Sequence, residues 1–540
     1  MRATGKPRRP GSRTSLHKDT PAPPFVRVLV ANRGEIALRI IRACRDLQME
    51  SVAVYSDADA SAAHVRAADD AVRLGPAPPA ESYLRMDAIV RAAQETGSDA
   101  IHPGYGFLAE RAAFARMVEG AGIAFVGPSS GVIAALGDKL AARRAALAAE
   151  VPVVPGTLEP AALQPDRIDG LLREAASIGF PLLVKAAAGG GGRGMRRVER
   201  AEDLPSALAA AEAEATSAFG DGAVYLEREI RPARHIEVQL LGDRYGKVVA
   251  IGERDCSIQR RHQKLIEESP APGLTRDERL TVHDLAVRAA RSVGLTNAAT
   301  AEFLYTGKGR FYFLEVNARL QVEHGITELV TGLDLVAEQF RLAAGRPLSE
   351  AAVRAAENAA TSIGHAIEVR LSAEDPSGDF VPAPGRVGRW RMPAGPGIRV
   401  DTAAEAGDRV PPDYDPLLAK VMAHGADRST ALARLIRALD EVEVTGIQTT
   451  LPFHRAALRH PCFHAGDVST DWVADRWDGP AERRRWQPLA ELAAALAAIE
   501  TPPGAPQSVS TTPEKGSGRA AESRGWRRTA LEAGVERWPR

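Results

Sequence analysis

Ala301-Glu-Phe-Leu-Tyr-Thr-Gly-Lys-Gly-Arg-Phe-Tyr-Phe-Leu-Glu-Val-Asn317 reads as two aromatic-rich strands joined by a Gly-Lys-Gly turn. Aromatic residues suit a pleated, half-buried surface, and glycine permits the backbone of a tight turn. With the turn centred on Lys308-Gly309, Glu302 and Glu315 fall opposite each other on neighbouring strands. Facing carboxylates repel, so amid Phe, Tyr and Leu side chains this pair calls for a cation. Strand alternation puts Asn317 on the face of Glu315. Two carboxylates and an amide oxygen are hard ligands that suit Mg2+ or Mn2+ beside nucleotide phosphates. The bland alternative is a pair of exposed glutamates on an edge hairpin.

The flanking chain extends this chemistry. Arg319-Leu-Gln-Val-Glu323-His follows directly, and continued alternation sets Arg319, Gln321 and Glu323 on one face. A carboxylate near an arginine and a metal–phosphate centre suits a general base. Upstream, Pro181-Leu-Leu-Val-Lys-Ala-Ala-Ala-Gly-Gly-Gly-Gly-Arg-Gly-Met195 places Lys185 at a strand end before a glycine loop. GxxxxGK[ST] is absent and the loop returns into a strand, so it is not a Walker A loop. Glycine N–H groups can still close over phosphate oxygens, with the lysine pairing to the same phosphates; a plain hairpin tip is the alternative. The run Glu253–Glu267 mixes both charge signs, which fits a solvated face better than a nucleic-acid patch.

Around these segments the chain divides by texture. Val26–Ala31, Ser51–Tyr55, Ala100-Ile101 and Ile123–Val126 read as strands alternating with helices, the first helix over Glu35–Leu47. That alternation predicts a parallel α/β sheet, and without GxGxxG it carries no dinucleotide fingerprint. From about Gly137 paired strands predict an antiparallel α+β region: Pro181–Ala186 with Met195–Val198, Ala223–Leu226 with His235–Leu240, and the hairpin above. A third region has strand-like segments near Ala366–Leu371, Ile398–Asp401 and Leu417–Ala423. Residues 1–24, basic and proline-rich, read as a disordered leader. In the tail, Leu489, Leu492, Leu496 and Ile499 share a helical face, read as packing on its own domain, before a low-complexity linker from Thr501.

Composition bounds the class. The 540 residues carry 69 basic and 69 acidic side chains, a balance that excludes a general nucleic-acid binder. Apolar residues are 45%, enough for packed cores, and the length predicts about three to five domains or subdomains. Cys44, Cys256 and Cys462 fall in no metal-ligand or CxxC spacing, which excludes disulfide scaffolds and zinc ribbons and suits a reducing compartment. No apolar run reaches the ~18 residues of a membrane span.

Four segments, HPGYGFLAE (102–110), KAAAGGGGRGM (185–195), RDCSIQRRHQKLIEESPAP (254–272) and EVNARLQVEHGITE (315–328), together resemble the biotin carboxylase component of biotin-dependent carboxylases, an ATP-grasp enzyme. The resemblance runs from about Val26 to about Trp477. It implies a biotin carboxylase N-terminal α/β domain over 25–138, an ATP-grasp domain over 139–355 with a lid near 157–231, a C-terminal α+β domain over 356–477, and a tail over 478–540. It also implies residue roles. Lys139 and Lys185 match lysines that hold ATP phosphates, with Gly190, Gly191 and Gly192 in the lid. Glu227 and Ile230 match the adenine-reading hinge, and His235, Gln259 and His262 match nearby nucleotide contacts. Glu302, Glu315 and Asn317 match the metal side, in agreement with the hairpin reading. Lys264, Arg319, Gln321, Val322 and Glu323 match the bicarbonate site, and Arg370 matches the arginine near bicarbonate and biotin.

The activity implied is ATP-dependent carboxylation of biotin by bicarbonate through carboxyphosphate, with Mg2+ or Mn2+. The chain has no Met-Lys-Met-type biotinylation motif. Biotin is therefore expected on a separate carrier protein, with a separate carboxyltransferase as further partner, a homodimer as assembly and the cytoplasm as location. The final acyl acceptor stays open. Four departures from the family pattern stand out: Arg228 for lysine, Ala187-Ala188 for Ser-Gly, Ala109 for serine and Thr450 for asparagine. The rivals are another ATP-grasp ligase, disfavoured by QRRHQK with RLQVEH, and a non-catalytic ATP-binding scaffold, disfavoured by Lys264, Glu323 and Arg370.

Overall fold

The computed structural model describes residues 23–161, 168–187, 195–361 and 363–500. The first strands form a parallel sheet in the order β3-β2-β1-β4-β5, with β1 Arg27–Val30, β2 Glu50–Ser56, β3 Asp70–Gly75, β4 Ala100–His102 and β5 Ala124–Phe125. Val28, Leu29 and Val30 are fully buried, as expected of a strand covered on both faces. The Gly34–Asp46 helix buries Ile36, Ala37, Ile40 and Ile41 against this sheet. The strand order reverses between β1 and β4, where an α/β sheet opens a crevice at its carboxyl ends. Asn32 bridges that crevice, donating to the carbonyls of Pro103 and Tyr105 at 2.7 Å each.

A small antiparallel sheet follows in the order β7-β6-β8, from β6 Leu182–Ala186, β7 Arg196–Val198 and β8 Val224–Arg228. The β6–β7 pairing is the expected one, with Leu182 opposite Val198. The expected partner of β8 is corrected. It pairs with β6, Leu183 opposite Glu227, and not with the chain after His235. The reason is that β9 (Arg234–Gly242) has no free edge: β10 (Val248–Arg260) and β12 (Asn297–Tyr305) occupy both of its sides.

With β11 Gln263–Ser269, β13 Phe311–Asn317 and β14 His365–Ser372, these strands build an eight-stranded antiparallel sheet, β13-β12-β9-β10-β11-β14 followed by the Leu417–Gly425 and Ile398–Thr402 strands. The third region read from the sequence thus continues the sheet of the second, because β14 pairs with β11, Glu267 opposite Glu368. The hairpin register is the expected one: Glu302 opposes Glu315 and Thr300 opposes Asn317. Residues up to Pro480 form one compact unit and those from Ala481 another. In the Gly479–Glu500 helix, Leu489, Leu492 and Leu496 are 58%, 56% and 54% exposed. The leader to residue 22, the linker from Thr501 and Gly190, Gly191 and Gly192 lie outside the described residues.

Candidate active site

Six strands of the large sheet, β9 to β14, and the turn after β13 bring most of the expected residues together. Lys264, on β11, is the hub. Its ammonium donates to Glu302 Oε1 at 3.0 Å, to Glu323 Oε1 at 2.7 Å, and to Glu237. Burial opposes the charge on Lys264, but Glu237, Glu302 and Glu323 outweigh it and hold its pKa well above the ordinary lysine value. Arg370, on β14, donates from Nη2 to Glu323 Oε2 at 3.0 Å and from Nε to Glu267 Oε1 at 2.5 Å. Glu323 is therefore fully buried between two cations. Burial pushes its carboxyl up, and Lys264, Arg370 and Arg254 together bring it well below the usual range.

The residues 318–323 are not the extended run that alternation suggested. β13 ends at Asn317, and Glu323 stands at the N-cap position of the His324–Thr331 helix, its carboxylate turned to Lys264 and Arg370 instead of to the helix. The three side chains still converge, through a turn instead of a strand face. Arg319 donates to Gln321 Oε1 at 2.8 Å and to Asn317 Oδ1 at 3.1 Å, while Gln321 Nε2 donates to Glu302 Oε1 at 3.1 Å. Glu110, from the loop after β4, anchors the far side of Arg319 at 2.7 Å.

On the hairpin the facing carboxylates have found cations, as the repulsion argument requires. Glu315 Oε2 accepts from Lys139 at 2.6 Å, and Glu302 Oε2 lies 3.2 Å from His235 Nε2. Lys139 lowers the pKa of Glu315; Glu302 is also held low, with burial opposing and Lys264 and His235 prevailing. Asn317 turns its amide nitrogen to Glu302 Oε1 at 2.9 Å. A half-turn of that amide exchanges nitrogen for oxygen. The oxygen set of Glu302, Glu315 and Asn317 fits a hard divalent cation, and the lysines now neutralising it show that positive charge belongs there.

Lys139 opens the Lys139–Ala148 helix, where the Asp138 carboxylate accepts from Leu140 and Ala141 N–H groups. Lys185 pairs with Glu227, whose other oxygen accepts from buried Arg143 at 2.5 Å. Ile230 is half-buried beyond β8, and Gln259 is buried opposite Lys264. His262 is exposed at the tip of the β10–β11 hairpin, where Arg261 and His262 both take positive φ. Partial desolvation by its surroundings, with Lys185 and His235 nearby, lowers the pKa of His262. Val322 presents its carbonyl to Lys420 at 2.9 Å.

Sequence reasoning missed the charged supports: Arg143, Glu237, Arg254, Glu267 and Lys420. Each is fully or almost fully buried. Arg254 alone donates to Glu237 at 2.5 Å, Gln239 at 2.9 Å, Thr327 at 2.8 Å and Thr300 at 3.2 Å. The available signal was a charged residue inside a strand otherwise apolar, as in Leu417-Leu-Ala-Lys420-Val-Met-Ala. Thr450 keeps a link where the resemblance expected asparagine: its hydroxyl donates to the Arg370 carbonyl at 2.9 Å and accepts from Ser372 N–H at 3.0 Å.

Comparison with known proteins agrees with this arrangement. Residues 24–133 match the model of the biotin carboxylase N-terminal domain, 138–351 that of the carbamoyl-phosphate synthase L chain ATP-binding domain, and 368–475 that of the biotin carboxylase C-terminal domain. Biotin carboxylase 1 of Bacillus subtilis is 47% identical over 448 residues, 83% of this chain and 98% of that protein. The biotin carboxylase of Pseudomonas aeruginosa is 47% identical over 447 residues, 83% and 97% of the two chains. The biotin carboxylase domain dimer of Hydrogenobacter thermophilus 2-oxoglutarate carboxylase, solved with MgADP, ADP and bicarbonate, superposes with TM-score 0.79 at 42% identity over 84% of this chain and 97% of that one. A glutamate clamped by lysine and arginine beside paired carboxylates, in a three-part chain with these relatives, leaves one assignment: the chain belongs to the biotin carboxylase family of ATP-grasp ligases.

Proposed function

We propose that the chain catalyses the first half-reaction of a biotin-dependent carboxylase: MgATP, bicarbonate and biotin give carboxybiotin, ADP and phosphate. The observation that carries it is Glu323 held ionised between Lys264 and Arg370, with Lys264 also bonded to Glu302, which faces Glu315 across the hairpin. Glu323 accepts the proton of bicarbonate. The freed oxygen attacks the γ-phosphorus as the bond to ADP breaks, giving carboxyphosphate. Its C–O bond then breaks to CO2 and phosphate, phosphate takes the biotin N1 proton, and N1 bonds to CO2.

In this reading Lys139 and Lys185 hold phosphate oxygens, and Glu227, Ile230, His235, Gln259 and His262 line the nucleotide. Arg319, Gln321 and the Val322 backbone hold bicarbonate, and Arg370 stabilises the biotin enolate. Glu302, Glu315 and Asn317 would hold the divalent cation, which supplies positive charge to the β- and γ-phosphate oxygens. Most of the rate enhancement is then electrostatic preorganisation. Glu323 is too strongly paired to be a strong base while alone. The incoming anion relieves it, by drawing Lys264 and Arg370 toward its own charge.

Domain limits of 25–138, 139–355 and 356–477 follow from the same reading. So do a separate biotin carrier, a carboxyltransferase partner and a homodimer. Among the described residues no helix is long and apolar enough to cross a membrane. Three free cysteines, two of them buried, suit work in the cytoplasm. The test is ADP release with MgATP and bicarbonate, with and without high free biotin. Biotin-stimulated turnover that vanishes in Glu323→Gln and in Arg370→Ala supports the proposal; nucleotide binding with no biotin-stimulated turnover counts against it.

A further inference from the structure

Lys420 lies on the Leu417–Gly425 strand with no solvent exposure. Stripping water from an ammonium costs several kcal/mol unless partners compensate, and three acceptors surround it. Its Nζ lies 2.9 Å from the Val322 carbonyl oxygen, 3.2 Å from Glu35 Oε1 and 3.7 Å from Asp401 Oδ2. These come from different parts of the molecule. Glu35 begins the first helix of the parallel sheet and accepts from the Tyr105 hydroxyl in the crevice after β4. Asp401 is held by Arg399 at 3.0 and 2.8 Å. Val322 sits in the turn between β13 and the helix whose N-cap position Glu323 takes.

An ion pair with Glu35 alone would not need the Val322 contact, and an apolar residue would suit a strand whose neighbours Ala419 and Val421 are core. What the lysine adds is a hydrogen bond to one particular carbonyl. That carbonyl oxygen and the N–H of Glu323 belong to the same rigid peptide plane, so fixing one fixes where the Glu323 Cα starts. Among the described residues the turn has no strand partner to do this. Strand pairing sets Lys420 opposite Arg370 on β14, so one strand pair carries the cation facing Glu323 and the cation behind it.

We propose that Lys420 is a positioning residue for the reaction: through the Val322 peptide it sets Glu323, and through Glu35 and Tyr105 it ties that setting to the crevice of the parallel sheet. The inference rests on the reading of Glu323 as the base that deprotonates bicarbonate. Lys420 touches no reacting atom, so its loss changes the chemical step and not nucleotide capture.

The experiment compares wild-type chain, Lys420→Met and Lys420→Met/Glu35→Gln in biotin-stimulated ADP release. The double variant removes lysine and carboxylate together, leaves no uncompensated charge on that side, and decides the matter if the single variant folds poorly. A displacement of catalytic geometry on the order of 1 Å costs about 10²-fold, so kcat should fall by about that factor. The KM for MgATP should stay within about twofold, because the lost interaction matters in the transition state. Wild-type chain lacking biotin-stimulated turnover overturns the functional reading itself. Active wild type with kcat retained within about threefold in the double variant overturns the positioning role alone. So does a proportionate rise in the KM for MgATP, the signature of general loosening.

Discussion

Among the glutamates that face each other across ladders of the same sheet, two pairs have opposite fates. Glu302 and Glu315 oppose across β12 and β13; Glu267 and Glu368 oppose across β11 and β14. The first pair is served by Lys264, His235 and Lys139, and both carboxyls are held below their ordinary range. In the second pair Glu267 is paired with Arg370, and among the described residues Glu368 makes no ion pair. Burial pushes Glu267 up to about 7, with Arg370 opposing, and pushes Glu368 well above the ordinary value. Neither Glu368 oxygen has a hydrogen-bond partner among the described residues. One motif thus gives an anionic nest that demands cations and, about four strands away in the same sheet, a pair whose carboxyls burial pushes toward the neutral form. The difference has a use in the proposed reaction. The more burial favours the neutral form of Glu267 and Glu368, the more of the Arg370 charge is left to face Glu323 and an incoming anion.

Breaking the first pair should have the largest effect. Lys264→Met strands Glu237, Glu302 and Glu323 without their shared cation. Removing one partner of a buried ion pair costs about 3–5 kcal/mol, so urea unfolding should shift by that order and ADP formation should fall more than about 10²-fold. Arg370→Met should destabilise less, because Glu267 can take up a proton near neutral pH in place of the lost cation. Equal losses in the two variants would erase the distinction between the pairs. Glu315→Gln is milder. It keeps the shape and weakens one oxygen ligand, so the Mg2+ concentration for half-maximal ADP formation should rise about 10–100-fold, with the urea midpoint little moved.

The sequence made the first pair legible and hid the second. The hairpin is short, its turn is marked by glycines, and register follows once the turn is centred, so Glu302, Glu315 and Asn317 could be put together from local rules. Glu267 and Glu368 come together only because β14, about a hundred residues on, docks beside β11. No local periodicity encodes that pairing. The same holds for Lys420 with Glu35, and for Arg254 at the centre of a network spread over four elements. The mistaken pairing of Ala223–Leu226 has the same origin: sequence neighbours were paired, whereas β9 had both edges taken from farther along the chain. Motifs supplied most of the candidate side chains, and the motif that ends in Glu323 survived even though its backbone turns into a helix cap.

The second pair can be read out by pH. The Glu267 carboxyl moves from an ordinary 4.5 to about 7 in the folded chain. The folded state therefore holds this proton more tightly than the unfolded state. Its contribution to stability is full below about 4.5, declines as pH rises through the interval to about 7, and changes little above that. Glu267→Gln cannot titrate. The urea midpoint of the variant relative to wild type should climb between pH 5 and pH 7 and then level, whatever constant offset the substitution adds. A flat difference across that window would show that Glu267 is ionised throughout, as Glu302 is.

Thr450→Val should give the smallest effect, and it tests whether the backing of Arg370 is mechanical as well as electrostatic. Thr450 is fully buried, and its hydroxyl joins the Arg370 carbonyl to the Ser372 N–H, with His454 Nε2 also 2.7 Å from that carbonyl. Valine keeps the shape and leaves the Ser372 N–H without its acceptor, at a cost of about 1–3 kcal/mol. His454 still holds the carbonyl, so the loss should sit near the lower end. The Mg2+ requirement should not move, since Glu302 and Glu315 are on the other ladder. Asparagine at 450 offers both a donor and an acceptor, so Thr450→Asn should be milder than valine if the joint between carbonyl and N–H is what matters. If valine and asparagine destabilise equally, the hydroxyl is only filling space and the strand under Arg370 is held by His454 and the ladder alone.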